Sequence, residues 1–412
     1  MSLKRRVVVT GLGIVSPLGN DLESTWSNIL QGTSGAARIT KFDPTDFATT
    51  FAAELKDYDD ISGLTPKEKR RTDPFVQYAI TASDQAIIDS GINSEEFDST
   101  RIGVSIGSGI GGLGSIEDNA IILKERGPKK ISPFFVPGAI INMASGNVAI
   151  KNNFQGPNIS IVSACSSAGH SIGYSARTIA DGDADIMITG GSEAGITPLG
   201  LAGFNAAKAL STNNENPEKA SCPWDKKRDG FLLGEGAGIM VLEDFDLANK
   251  RKAKIYGEVV GFGQSDDAYH ITAPAEDGRG AYLAMKNALH DFGEDCSLIN
   301  YINAHGTSTP LGDVIESKAI HEIFGDNKDL SISSTKSMTG HLLGAAGAIE
   351  AIFCLLSMRD SMIPPTINLE DPDNEFNLDL TPNKPKSKNV DYSMSNSFGF
   401  GGTNVSLIFK KI

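Results

Sequence analysis

One stretch of the chain decides both the fold and the chemistry: Ser163-Ala164-Cys165-Ser166-Ser167-Ala168-Gly169-His170. It follows a strand-like run, Ile159 to Val162, and it opens a helical pattern of small residues over Ser167 to Asp181. Cys165 therefore lies at a helix N-terminus, where the macrodipole favours a thiolate and a lowered pKa. Free backbone N–H groups at the same position can bind a developing oxyanion. The pattern predicts that Cys165 is a nucleophile.

The other three cysteines have no comparable position. Cys354 falls in an apolar helical pattern, while Cys222 and Cys296 fall in polar, loop-like segments. Four scattered cysteines without a C-x-x-C pair indicate a reducing compartment and favour neither a disulfide framework nor zinc. We therefore predict no metal site.

Outward from this stretch, short β-rich runs alternate with helix-length segments, which is typical of an α/β fold with covered sheets. The predicted strands are Arg6 to Thr10, Ile102 to Ile106, Ile159 to Val162, Asp185 to Thr189, Gly238 to Leu242, Ile255 to Val260, Tyr301 to Ala304, Ser331 to Ser334, Asp391 to Ser395 and Val405 to Phe409. The predicted helices include Asp73 to Ser90, Ser167 to Asp181, Gly280 to Gly293, Asp313 to Phe324 and Gly344 to Met358. No linker-like segment separates the two halves, so we expect one tightly packed unit.

Charge and hydropathy exclude several classes of protein. The formal net charge of −14 argues against a general nucleic-acid binder, whose surface would be basic. No apolar run is long enough to span a bilayer, and the start of the chain favours a first strand over a signal peptide. We expect a cytoplasmic protein without a membrane segment.

A short motif that occurs twice suggests that the chain consists of two duplicated halves. Gly169-His170-x-x-Gly173 follows Cys165, and Gly340-His341-x-x-Gly344 follows Lys336. If the two segments align, Cys165 and Lys336 hold equivalent positions in the two halves.

Two further strand ends carry histidines. His305 lies where the predicted strand Tyr301 to Ala304 enters a turn, although a structural histidine is an equal alternative there. Lys336 and His341 precede a Gly/Ala-rich helix, on which Glu350 is a candidate partner for the lysine.

The glycine-dense segment 396–404 indicates a ligand-binding loop, with a tight hairpin as the alternative.

The motifs of three other enzyme classes are either incomplete or absent. Gly107-x-Gly109-x-x-Gly112 matches a dinucleotide fingerprint, but no acidic residue ends a second strand about 20 residues later. Neither a P-loop lysine nor a G-x-S-x-G nucleophile elbow is present.

Taken in this order, the motifs resemble those of the β-ketoacyl-acyl carrier protein synthases of the thiolase superfamily. The segments that carry the resemblance are 8–19, Cys165-Ser166-Ser167-Ala168, Asp229-Gly230-Phe231, His305-Gly306-Thr307, Lys336-Ser337-x-x-Gly340-His341 and Gly399-Phe400-Gly401-Gly402-Thr403-Asn404. The resemblance implies a five-layered αβαβα fold built from two similar halves, 3–252 with the nucleophile and 253–412 with the histidines and the lysine. It also implies a homodimer.

The same resemblance implies a mechanism without redox cofactor or metal. Cys165 would take an acyl group from an acyl carrier protein, and malonyl-carrier protein would then lose CO2 and attack the acyl-cysteine. His305 and His341 would stabilise the enolate, with Lys336 and Glu350 in support, and the N–H groups of Cys165 and Phe400 would form the oxyanion hole. Cys-His-His differs from the Cys-His-Asn of initiating synthases, and Phe400 stands where thiolases have a second cysteine.

The resemblance and the distribution of charge also suggest pocket residues, docking residues and the type of synthase. The residues expected to line the substrate pocket are Ile110, Phe204, Phe400, Thr307 and Thr309. The residues expected to dock an acidic carrier protein are Lys67, Lys69, Arg70, Arg71 and Lys208. A type II elongating synthase of fatty acid synthesis is the favoured interpretation; a type I or polyketide-type synthase is the alternative. A non-catalytic subunit that sets chain length is disfavoured, because such subunits lack the nucleophilic cysteine.

Overall fold

Ten strands form one continuous sheet in the computed structural model, which describes residues 5–58, 62–93, 95–325, 327–373 and 375–412. In order across the sheet, the strands are Ser331–Ser333, Tyr301–Asn303, Tyr392–Phe398, Thr403–Lys410, Gly257–Asp266, Val7–Val15, Gly236–Asp244, Ile186–Glu193, Ile102–Gly107 and Asn158–Ile159. Two short ribbons lie outside it, formed by Ala37–Arg38 with Phe51–Ala52 and by Met362–Ile363 with Lys386–Ser387.

The two halves of this sheet repeat the same pairing pattern. Starting from Val7–Val15, two antiparallel pairings are followed by two parallel ones, ending at the edge strand Asn158–Ile159. Starting from Gly257–Asp266, the same succession ends at Ser331–Ser333. The two starting strands pair with each other, so the sheet has an internal two-fold repeat at its centre.

Helices cover both faces of each half and form three layers. The central layer is the pair Ser167–Ala180 and Ala346–Asp360, which contact each other and strands of both halves. Residues 346–358 of the second helix are buried on every side, as expected for a helix enclosed by sheets. Pro74–Ser90 covers the outer face of the first half and Arg279–Phe292 that of the second. This arrangement confirms the predicted five-layered αβαβα fold.

Glycines set the distance between strands and outer helices in both halves. A Cβ on Gly13 would lie 2.0 Å from the carbonyl oxygen of Ala82, and one on Gly263 would lie 2.2 Å from that of Ala284. Each outer helix therefore rests directly on strand backbone. Gly11 and Gly13 allow this close packing without ending the first strand. The strand therefore extends to Val15, well beyond its predicted end at Thr10.

The remaining helices connect the strands or line the rim. The described α-helices are Leu22–Leu30, Pro66–Lys69, Pro74–Ser90, Leu113–Arg126, Phe135–Ala139, Met143–Asn152, Ser167–Ala180, Pro198–Ala206, Phe245–Lys250, Arg279–Phe292, Pro310–Phe324, Lys336–Thr339 and Ala346–Asp360. The 3-10 turns are Ser99–Arg101, Pro128–Lys130, Ala164–Ser166, Pro217–Lys219, Cys296–Leu298, Leu343–Ala345 and Phe400–Gly402. Within the described residues, no helix combines the length and the apolar character that crossing a membrane requires.

One predicted strand differs in extent and in burial. The predicted buried strand Ile159 to Val162 is shorter in the structure, Asn158–Ile159. The exposed fraction of the residue surface is 54% for Ile159 and 55% for Val162. The reason is its place at the edge of the sheet, where it pairs only with Ile102–Gly107. Its apolar side chains therefore face outward.

The fold has an internal repeat, but the predicted alignment of the two Gly-His-x-x-Gly segments is wrong. The two central helices are preceded by matching 3-10 turns, Ala164–Ser166 and Leu343–Ala345, whose first residues both have a positive φ, 50° and 49°. The counterpart of Cys165 in the second half is therefore Gly344 and not Lys336. A side chain at this position would collide with the backbone of Gly109 and with the carboxylate of Glu193, so a glycine is needed here.

Candidate active site

Cys165 lies at the centre of a 3-10 turn that leads into the central helix Ser167–Ala180. Its side chain is largely buried, and all four cysteines of the chain are free. The hydroxyl of Ser166 donates hydrogen bonds to the carbonyl oxygens of Ser397 and Thr403, at 2.9 and 2.7 Å. The turn is thereby fixed to the glycine-rich segment predicted to bind a ligand.

Two histidines from the other half of the chain lie beside this thiol. The Nε2 of His341 is 3.0 Å from the Sγ of Cys165, and the rings of His305 and His341 are 5.3 Å apart. One donor atom from each of the three residues lies within 4.8 Å of the others. The structure thus brings together the three residues that the sequence singled out from distant segments.

The backbone holds each histidine on two sides. The N–H of His341 donates to the carbonyl of Leu232 at 2.7 Å, and the carbonyl of His341 accepts from the N–H of Gly234 at 3.0 Å. The N–H groups of His305 and Gly306 donate to the carboxylate of Glu316 at 2.8 and 2.7 Å. The alternative that His305 is only a structural histidine loses support, because its ring adjoins the cavity described below.

Lys336 and Glu350 form a buried ion pair behind the histidines, with side chains 1% and 0% exposed. Burial raises the pKa of Glu350 to about 7, and the ammonium of Lys336 opposes this rise. Burial lowers the pKa of both histidines well below the ordinary value of an imidazole, and the ammonium of Lys336 lowers it further. Both imidazoles are therefore neutral at physiological pH.

The thiol of Cys165 is also protonated at rest. Burial raises its pKa to about 11, although the ammonium of Lys336 and the backbone N–H of Phe400 act in the opposite direction. The lowered pKa expected from the helix N-terminus is therefore wrong, because loss of solvent outweighs the favourable dipoles. The resting site pairs a neutral thiol with a neutral imidazole.

Two backbone N–H groups act on the sulfur. Those of Phe400 and of Cys165 itself favour the thiolate and so lower the pKa of the thiol, against the larger effect of burial. A Cβ on Gly399 would lie 2.8 Å from the carbonyl oxygen of Ser163 and 3.2 Å from the nitrogen of Cys165, so the glycine lets the two segments approach closely. An oxyanion hole formed by these two N–H groups stays a prediction.

A cavity of about 570 Å³ opens next to the thiol. The predicted pocket residues all line it: Ile110, Phe204, Thr307, Thr309 and Phe400. Its apolar wall includes Phe231, whose ring is 5.2 Å from that of His341 and 5.5 Å from that of Phe204. A polar side is formed by Thr307 and Thr309, whose hydroxyls are 3.0 Å apart. The cavity can hold an apolar chain with a polar end.

Cys165, His305 and His341 are also the described residues spaced closely enough to hold a metal ion. That no metal is bound there stays a prediction. The cavity beside the thiol favours covalent chemistry at this site.

Two family models match the chain: the beta-ketoacyl synthase N-terminal domain over residues 4–248, and the C-terminal domain over residues 256–370. The chain belongs to the beta-ketoacyl synthase family. Among curated relatives of this family, the 3-oxoacyl-[acyl-carrier-protein] synthase 2 of Vibrio harveyi is 54% identical, with 99% of each chain covered. That of Vibrio cholerae serotype O1 is 56% identical, with 99% of this chain and 100% of the relative covered.

Solved beta-ketoacyl synthases share the whole fold. One from Burkholderia phymatum has a TM-score of 0.92 at 34% identity, covering 99% of this chain and 100% of its own. A ketosynthase bound to a hexaketide and in complex with its type II polyketide acyl-carrier protein has a TM-score of 0.92 at 32% identity, with the same coverage.

The predicted docking residues of this beta-ketoacyl synthase lie in two places. Lys208 lines the cavity, whereas none of the residues Lys67, Lys69, Arg70 and Arg71 does. That cluster lies on and after the short helix Pro66–Lys69, and the guanidinium of Arg71 lies 4.4 Å from the ring centroid of Phe134. A docked partner would therefore have to span the surface between the cluster and the cavity mouth.

Sequence reasoning missed the buried carboxylates that position the site of this beta-ketoacyl synthase. Glu316 holds the His305 turn, and Asp313, whose pKa burial raises to about 7, accepts from the N–H groups of Ser308 and Trp224 at 3.1 and 3.0 Å. Both lie on the helix Pro310–Phe324, which directly follows the histidine turn. Acidic residues at the start of that predicted helix were the available signal.

Proposed function

We propose that the protein is an acyltransferase that elongates acyl chains by decarboxylative condensation with malonyl-[acyl carrier protein] in type II fatty acid synthesis. The observation that carries the proposal is the 3.0 Å approach of His341 to the thiol of Cys165, beside His305 and an apolar cavity. Curated relatives at 54–56% identity over almost the whole chain, all 3-oxoacyl-[acyl-carrier-protein] synthases 2, support the same reaction.

The first step transfers an acyl group. The Cys165 sulfur attacks the thioester carbonyl of acyl-carrier protein as the thiol proton moves to Nε2 of His341. The N–H groups of Cys165 and Phe400 stabilise the tetrahedral oxyanion. Its collapse forms acyl-cysteine, and the carrier thiolate leaves with the proton that His341 returns. The apolar cavity then holds the acyl chain.

The second step forms the carbon–carbon bond. Malonyl-carrier protein loses CO2, and the electron pair of the broken bond becomes the enolate of the thioester. N–H groups of the neutral His305 and His341 stabilise the enolate oxygen; for His341 this requires the tautomer with its proton on Nε2, which is not the tautomer that accepts the thiol proton in the first step. The enolate carbon attacks the acyl-cysteine carbonyl, which gives β-ketoacyl-carrier protein and frees Cys165 as thiolate, to be reprotonated. Lys336, paired with Glu350, supplies positive charge near the forming enolate.

We further propose the carrier protein as partner, held by Lys208 at the cavity mouth and by the cluster at 67–71. A local basic surface can attract an acidic carrier although the chain has a net charge of −14, because distant charges are screened beyond about 8 Å. The solved complex of a related ketosynthase with its acyl-carrier protein supports a partner of this kind. A cytoplasmic location and the division into halves 3–252 and 253–412 remain predictions, and residues 3 and 4 lie outside the described residues.

A homodimer is proposed from the edge of the sheet. The edge strand Asn158–Ile159 pairs on one side only, Ile159 and the following Val162 are exposed, and so is Ile150 on the helix Met143–Asn152 that contacts this strand. An exposed apolar sheet edge is a site where a second chain can pair. Analytical ultracentrifugation tests this: a monomer at micromolar concentration would contradict it.

A polyketide-type synthase is the second candidate, supported by the likeness to a type II polyketide ketosynthase at 32% identity. The higher identity to the 3-oxoacyl-[acyl-carrier-protein] synthases favours fatty acid elongation. The presence of Cys165 argues against a non-catalytic subunit.

Intact-protein mass spectrometry with decanoyl-carrier protein, followed by peptide mapping, tests the proposal. We expect an acyl adduct on Cys165 that malonyl-carrier protein discharges as a β-ketoacyl product. Cys165→Ala should form no adduct, while the control Cys296→Ala should behave as wild type. Cys165→Gln should retain malonyl decarboxylation. A folded wild-type protein that forms no adduct with any chain length would refute the proposal.

A further inference from the structure

A buried carboxylate outside the described mechanism connects the acyl cavity to the catalytic turns. Glu193 is the last residue of the strand Ile186–Glu193 and is 0% exposed. Among the described residues, no lysine or arginine forms an ion pair with it. Hydrogen-bond donors from two loops surround it instead, and they counteract the rise of its pKa that burial causes.

Both carboxylate oxygens of Glu193 are fully used. Oε1 accepts from the hydroxyl of Ser108 at 2.9 Å and from the N–H groups of Ile110 and Gly111 at 3.1 and 3.3 Å. Oε2 accepts from the N–H groups of Gly109 and Gly344 at 2.7 and 2.9 Å. One side chain thus holds the loop 108–111 and the turn Leu343–Ala345 together.

These two loops are walls of the acyl cavity. Ile110 of the first and Leu343 of the second both line it. The loops touch through backbone, because a Cβ on Gly344 would lie 2.2 Å from the nitrogen of Gly109. A Cβ on Gly109 would also lie 3.4 Å from the carbonyl oxygen of Ala164, next to the nucleophile. The shape of the cavity near Cys165 therefore depends on how Glu193 holds these segments.

We propose that Glu193 is a positioning residue that sets the acyl chain lengths Cys165 accepts, by fixing Ile110 and Leu343 relative to the thiol. The inference rests on the proposed function. A glutamine at 193 keeps the shape of the side chain, but it offers one acceptor oxygen and one NH2 group. In either orientation the NH2 group faces N–H donors, so one of the two loops must move.

The test compares the rates at which hexanoyl-, decanoyl- and hexadecanoyl-carrier protein acylate Cys165, measured by intact mass. In Glu193→Gln we expect the ratio between the shortest and the longest chain to change by about fivefold or more, which corresponds to the about 1 kcal/mol of one buried hydrogen bond. The matched control is Glu243→Gln. Glu243 is equally buried on the neighbouring strand, at the opposite end from Glu193, and pairs with Arg251. Its substitution should lower stability without changing the chain-length ratio.

A general loss of packing would slow all three chains by the same factor, and this outcome would overturn the inference, as would an unchanged profile. If Glu193→Gln does not fold, Ser108→Ala decides, because it removes one donor and keeps the carboxylate. We expect a smaller change of the ratio in that variant, and an unchanged ratio there would also overturn the inference. Failure of the proposed function is distinguishable, since the wild type itself would then form no acyl adduct.

Discussion

The Nε2 of His341 lies 3.0 Å from the Sγ of Cys165, and neither group is charged at neutral pH. A preformed thiolate–imidazolium pair would need two charges on buried groups, which desolvation disfavours. The hydrogen bond instead prepares a proton transfer that occurs as the sulfur attacks. The nucleophile is therefore activated in the transition state and not in the resting enzyme.

His341→Ala should slow acylation of Cys165 by about a hundredfold or more, the range typical of a lost general base. It should also slow malonyl decarboxylation, because one of the two enolate donors is removed. Stopped-flow acylation and CO2 release measure the two effects. The control is His321→Ala, an exposed histidine stacked on Phe376, which should leave both rates unchanged. Unchanged acylation in the His341 variant would contradict the proton transfer.

Alkylation of Cys165 should report the raised pKa. With a thiol pKa of about 11, the thiolate fraction rises tenfold per pH unit through neutrality. The rate of carbamidomethylation by iodoacetamide, mapped by mass spectrometry, should therefore still be rising between about pH 7 and about pH 9. A thiol with a lowered pKa would reach a plateau in this range. A plateau would restore the interpretation drawn from the helix N-terminus.

The buried pair of Lys336 and Glu350 makes a prediction about stability. Glu350→Gln leaves the ammonium of Lys336 buried and unpaired, and it should cost about 3–5 kcal/mol in free energy of unfolding. Lys336→Met should cost less at neutral pH, because the carboxyl of Glu350, whose pKa is already raised to about 7, is then buried as the neutral acid. The double variant should cost less than Glu350→Gln, since no charge remains. Urea titrations measure these values. Lys226→Met, which breaks an exposed pair with Asp371, should leave the urea midpoint nearly unchanged, because solvent screens that pair.

Activity separates the two roles of this pair. If the ammonium of Lys336 supplies charge to the enolate, the double variant should recover stability but not malonyl decarboxylation. Recovery of both would show that the lysine acts on folding alone.

The strands of the sheet could be predicted from the sequence because each is an apolar run between glycines or turn residues, and every strand of the sheet overlaps a predicted one. The site residues were recognisable from their neighbours: His305 follows the strand Tyr301–Asn303, and Cys165 and His341 each precede a helix that begins with small residues. Burial of Cys165 was not predictable, since the segments that cover it come from both halves of the chain. Glu193 was hidden for the same reason: its donors come from loops more than 200 residues apart.

The remaining prediction concerns carrier-protein docking, where the structure separates the candidate cations. Lys208 lines the cavity mouth, whereas the cluster Lys67, Lys69, Arg70 and Arg71 lies away from it. Reversal of the four cluster charges to Glu should raise the apparent KM for acyl-carrier protein by about tenfold at low salt, with kcat little changed. The reason is that the cluster attracts the carrier without touching the reacting atoms.

Salt and a matched reversal make the docking test specific. The difference in KM should shrink as added salt shortens the screening length from about 10 Å at 0.1 M. The control reverses four exposed residues that do not line the cavity, Lys250, Lys252, Lys328 and Lys384, and it should leave KM unchanged. If the cluster variant keeps the wild-type KM while Lys208→Glu raises it, docking is confined to the cavity mouth. If neither changes KM, the carrier protein binds another surface.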